Sequence, residues 1–122
     1  MNGTRTPQRV QMSRQRPWRA EHPDAIRVDR ATVFGNPFAI AGGGWRWWVV
    51  GFADSTLRTQ DRAREAAVSL FRDWLSDDSW QIDNWPKPDL APLRGHDLAC
   101  WCPPSSPCHA DVLLEIANGG EA

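Results

Sequence analysis

Asp97-Leu98-Ala99-Cys100-Trp101-Cys102 runs into Pro103-Pro104-Ser105-Ser106, and then into Pro107-Cys108-His109-Ala110-Asp111-Val112-Leu113-Leu114. The first six residues are mostly apolar and read as a buried strand. The Pro and Ser cluster after them breaks any regular structure and makes a loop. Ser106 has the side chain of a helix N-cap and Pro107 suits the first helical position, which predicts a helix over Cys108–Ala117. Leu113, Leu114 and Ala117 then form its buried stripe, and Asn118-Gly119-Gly120 stops it. A strand, a loop and a helix in this order point to an α/β (or α+β) fold, a small sheet covered by helices.

The upstream sequence supplies the other elements. From Thr59 to Leu75, the residues Ala63, Ala66, Ala67, Leu70, Phe71, Trp74 and Leu75 recur at helical spacing and form one core-facing stripe. Val10-Gln11-Met12 alternates apolar and polar, as does Ala25–Arg30 with Ile26 and Val28 on one face, so both are predicted strands. Gly35-Asn36-Pro37-Phe38 has turn chemistry and Gly42-Gly43-Gly44 reads as a flexible connection. Trp45–Phe52 favours β structure. Trp80–Pro92 contains three prolines and is predicted to be loop with one short turn.

At 122 residues the chain suits one domain, placed over residues 9–118, between a polar arm (1–8) expected to be disordered and a flexible end (119–122). No apolar run approaches the ~20 residues that span a bilayer, and Met1–Pro7 lacks the apolar core of a secretory signal. No membrane partner and a cytosolic location are therefore expected. Charge is uneven: residues 1–30 hold seven arginines and three acids, whereas the rest carries seven basic and twelve acidic residues, giving −1 overall. Arginine makes up all the basic residues except Lys87, and its planar fork suits phosphate or carboxylate. The basic arm is the feature that speaks for a nucleic-acid partner, because a net charge of −1 gives no whole-protein attraction for one.

All three cysteines fall within Cys100–Cys108, next to His109. Alternation puts Cys100 and Cys102 on one strand face, and the loop returns Cys108 and His109 to a helix start. Three readings of the cluster stand side by side. It can be a zinc site of Cys100, Cys102, Cys108 and His109, although ligands on adjacent residues are awkward for one tetrahedral ion. It can be a pocket in which Cys108, its pKa lowered by the helix dipole, or His109 as acid or base performs catalysis. It can also be inert core packing.

The blocks Leu93–Cys102 and Pro107–Leu114 resemble an uncharacterised bacterial and phage family, domain of unknown function 4326. Ser13-Arg14, Trp18, Val28-Asp29-Arg30 and Gly35-Asn36-Pro37-Phe38 resemble its earlier blocks in the same order. Ala67-Val68, Leu70-Phe71 and Trp74-Leu75 resemble its helix. Pro17 stands where that family has Gly, and Phe34 where it has Trp. The resemblance implies a shared fold and site and no particular activity.

Together these features favour binding, with or without processing, of an anionic, nucleotide-like small molecule. Arg14 and Arg30 are the expected clamp. Asn36, Ser106 and Asp111 are further candidate contacts, though Asn36 also suits a turn and Asp111 a helix start. Cys108 and His109 are the candidate catalytic residues. The alternative is a zinc-stabilised module that contacts nucleic acid or protein.

Overall fold

The computed structural model describes residues 6–52 and 57–119; most of the expected N-terminal arm and residues 120–122 lie outside the described residues. Along the chain the elements are β1 (Arg9–Gln11), α1 (Trp18–Glu21), β2 (Ile26–Arg27), β3 (Ile40–Gly43), β4 (Arg46–Val49), α2 (Gln60–Ser76), β5 (Leu98–Cys100) and α3 (His109–Ala117), with a 3-10 turn at Ala91–Leu93. The predicted α/β class is correct.

β5 is the middle strand of a parallel sheet in the order β1-β5-β2. A central parallel strand is covered on both faces, which is why Leu98, Ala99 and Cys100 are all buried. Side-chain alternation then separates two apolar clusters. Leu98 and Cys100 join the main core beneath α2 and α3, whereas Ala99 packs with Val10, Met12, Trp18 and Ala25 on the opposite face.

Thr59 caps α2 by accepting the Arg62 N–H at 3.0 Å. The predicted stripe is borne out: Ala63, Ala67, Phe71 and Trp74 are buried. α2 and α3 are also joined on their exposed side, where both Arg72 terminal nitrogens donate to the Glu115 carboxylate, one of them at 3.1 Å.

The glycine-rich segment departs from expectation. Gly42 and Gly43 belong to β3, which pairs with β4 as an antiparallel hairpin rather than forming a loose connection. Strand interiors normally disfavour glycine, but here a Cβ at Gly42 would sit 2.4 Å from the Arg46 carbonyl oxygen. Only glycine permits that approach. A second tight crossing fixes the loop between β2 and β3, because a Cβ on Gly35 would lie 2.6 Å from Arg30 Cα. This crossing presses Asp29 and Arg30 against the Gly35-Asn36-Pro37-Phe38 turn, and both faces of it reach the site described next.

Candidate functional site

β5 ends at Cys100, and the chain leaves the sheet through Trp101 and Cys102. A turn closed by the Ser106 N–H on the Pro103 carbonyl at 3.0 Å sends it back. The result is three free thiols at the carboxyl end of the central strand, with the sulfurs of Cys100, Cys102 and Cys108 all within 4.8 Å of one another. Cys108 Sγ lies 3.2 Å from Cys100 Sγ. The cluster is held from β1 by Arg9, whose guanidinium donates to the Pro103 and Pro104 carbonyls at 3.1 and 2.6 Å and to Asp111 at 3.0 Å.

Two expectations for the helix start are corrected. Ser106 is not the N-cap and Pro107 is not helical: Cys108 is the N-cap residue, and α3 begins at His109. Packing of the Cys108 thiol against Cys100 fixes the boundary, while Ser106 Oγ instead accepts from Arg64 at 3.4 Å. Nor is the Cys108 thiol acidified by the helix dipole. It is 2% exposed, and S–H donation within the cluster, followed by burial, pushes its pKa up. Half-buried Cys102 moves the other way, because Cys100 and then Cys108 donate hydrogen bonds to its thiolate. Cys100, holding its proton for Cys102, is pushed up to about 11. One sulfur of the three thus gives up its proton readily, and it is the accessible one.

His109 is buried and keeps one tautomer. Its Nε2 faces the Val28 carbonyl at 2.6 Å, and a carbonyl only accepts, so Nε2 carries the proton. Nδ1 is then a bare acceptor 3.8 Å from Cys108 Sγ. Burial pushes the imidazole pKa below its ordinary value, which keeps the ring neutral. The Phe71 ring stands perpendicular to it, 5.4 Å between centroids.

The thiols form one wall of a pocket of about 250 Å3. Phe38, Ile40, Ala67 and Val68 give it an apolar side, while Asp29, Arg30 and Arg64 supply charge. Arg30 is exposed at the rim. Arg14, its expected partner in a clamp, does not line this pocket; its guanidinium lies 5.8 Å from the centre of the Trp101 ring. Arg64 takes that place, held at 2.9 Å by Asp61. Sequence reasoning missed Arg64, and its one signal was that it precedes Ala67 by a single helical turn.

Asn36 lies in the pocket wall, but its amide is engaged: Oδ1 accepts the Phe38 N–H at 2.8 Å and Nδ2 donates to the Ala67 carbonyl at 3.2 Å. It ties the turn to α2. Asp111 is absent from the pocket wall and pairs with Arg9. Buried Asp29 is held by Arg27, through Nε at 3.1 Å and Nη2 at 2.9 Å. Burial alone would raise its pKa, but the Arg27 hydrogen bonds and charge outweigh it and hold the carboxyl below its ordinary value. A depressed carboxyl stabilises the fold above its unfolded pKa, about 3.9, and that stability is lost as pH falls through the lower folded value. Asp29→Asn should therefore reduce the urea midpoint at pH 7, and the gap from the unaltered protein should shrink below about pH 3.5. A gap independent of pH would assign the effect to packing.

Fold and site together define a small α/β fold with a three-cysteine cluster at the end of its central parallel strand. Residues 10–119 match the family described as Domain of unknown function (DUF4326), and the chain belongs to it. An uncharacterised 12.4 kDa protein in the nrdA–td intergenic region of enterobacteria phage T4 is 43% identical over 57 residues. That stretch is 46% of this chain and 50% of the phage protein, so the likeness spans about half the length of each. No solved structure matches the chain. No helix among the described residues is long and apolar enough to cross a membrane.

Proposed function

We propose that this protein is a metal-dependent binding domain in which Cys100, Cys102 and Cys108 hold one zinc ion and the adjoining pocket takes a small anionic, nucleotide-like molecule. The observation that carries the reading is the convergence of three sulfurs within 4.8 Å. Tetrahedral zinc with ~2.3 Å bonds to sulfur needs neighbouring sulfurs ~3.8 Å apart, so small side-chain adjustments suffice. Thiolates also favour zinc over harder cations.

His109 supports the site from behind. Its Nε2–H is anchored on a backbone carbonyl, the arrangement that commonly orients a ligating imidazole. Yet it stands outside the group of mutually close ligand atoms, which leaves three protein ligands and room for a fourth, exchangeable one. Three protein ligands with one open position is the pattern of zinc sites that exchange a ligand. Arg30 and Arg64 supply the positive charge for an anion there.

Cobalt(II) in place of zinc gives a direct test. Reduced protein should bind one equivalent, with the sulfur-to-metal charge-transfer bands and strong visible bands of a tetrahedral thiolate site. Inorganic phosphate should shift the visible bands, and Arg30→Ala should weaken that shift. Weak octahedral spectra would refute the metal site. Tetrahedral spectra indifferent to phosphate and to nucleotide would refute the open position alone and leave a structural ion.

A further inference from the structure

Beside Trp101 lies a second groove with a different chemistry. Gln11, Ser13, Arg14, Gln15, Arg16 and Trp101 form most of its wall, and no acidic side chain lines it. Trp101 contributes to both depressions, since it also lines the thiol pocket with Arg30 and Arg64. Trp101 is 47% exposed between buried Cys100 and half-buried Cys102. Its face is shared with Arg14 at 5.8 Å. A neighbouring groove shares Gln11 and Arg16 and reaches Trp18, which is half-buried against the Val10 cluster with Arg19 stacked on it at 4.9 Å, and Glu21 also lines that groove.

We propose that this surface, from Trp101 across Arg14 and Arg16 toward Trp18, binds single-stranded nucleic acid. Guanidinium groups beside flat aromatic faces match a chain of phosphates carrying flat bases. An acidic peptide would use the charge and leave the indoles idle. A duplex keeps its bases stacked inside and cannot offer one to an exposed tryptophan. Net charge, −1 overall, is a poor guide here, because Arg14 and Arg16 line this groove without an acidic side chain beside them. The inference does not rest on zinc, since none of these residues is a thiol.

The test is fluorescence anisotropy with labelled twelve-residue oligo-dT and oligo-U, their duplexes, and thymidine monophosphate and inorganic polyphosphate as competitors, using full-length reduced protein with and without zinc. At low salt a single strand should bind in both zinc conditions, at least about tenfold more tightly than duplex. The preferred oligomer then distinguishes DNA from RNA. Trp101→Ala should weaken binding about tenfold or more at an unchanged melting temperature, and Trp101→Phe should restore most of it. Arg16→Ala should lower the slope of log affinity against log salt by about 0.7 if it contacts one phosphate. No binding at low salt would overturn the proposal. So would equal competition by polyphosphate, or binding indifferent to both Trp101→Ala and Arg16→Ala. Competition by the mononucleotide as strong as by the strand would confine recognition to the thiol pocket, overturning this inference while leaving the proposed anion site standing.

Discussion

Cys108→Ser should weaken zinc binding by more than about hundredfold, since loss of an outer-shell partner alone commonly costs 10–100-fold. Cys108 is buried in the thiol group, in contact with Cys100 at 3.2 Å and with His109 beside it. A hydroxyl there is both a poor zinc ligand and a polar group facing a site built for sulfur. The stability effect follows by linkage: an ion present at a thousandfold over its dissociation constant stabilises the fold by about 4 kcal/mol. Zinc should therefore raise the melting temperature of the unaltered protein and leave that of the variant unchanged. Equal responses to zinc in the two proteins would exclude Cys108 as a ligand.

The second large effect is expected at Phe71. Its side chain is 0% exposed and packs on Trp74 at 6.0 Å and on His109 at 5.4 Å, so it joins the core of α2 to the first residue of α3. Phe71→Ala should cost about 3–5 kcal/mol, the range for truncating a fully buried aromatic ring. Marginal stabilities of 5–15 kcal/mol make that a large fraction of the total. Chemical unfolding of the variant beside Leu75→Ala, a half-buried position on the same helix, measures it. A loss below about 1 kcal/mol at Phe71 would mean that the space refills and that His109 is positioned by Val28 alone.

The elements legible in the sequence are those where local signals agree with tertiary packing. The stripe from Ala63 to Trp74 needs nothing but helical periodicity, and Thr59 supplies its start. The expected strand runs to Cys102, but β5 stops at Cys100, so Cys102 is returned to Cys100 by the bend after the strand and not by alternation, and Cys108 by a loop too short to carry it away. The boundary of α3 was misjudged because Ser106 and Pro107 carry genuine start signals that lose to the burial of Cys108. Arg9 and Arg64 stayed invisible for a different reason. Arg9 meets Asp111 across 102 residues and Arg64 meets Ser106 across 42, separations that no local pattern encodes. Arg14 and Arg30 do not form the expected pair, since proximity to strand ends does not say which depression each guanidinium lines. Gly42 reversed the usual rule because its missing side chain makes room for the opposite strand.

The central claim is that three thiols at the end of β5 form a metal centre, and metal content tests it most directly. Protein produced without a histidine tag and purified under reducing conditions should contain about one zinc per chain, the stoichiometry of one thiolate site. Removing that zinc with a chelator should lower the melting temperature and expose Cys102, Cys100 and Cys108 to a thiol reagent together. Zinc-free protein that melts cooperatively at the same temperature with and without added zinc, and whose buried thiols ignore the metal, would contradict the account and reduce the cluster to core packing.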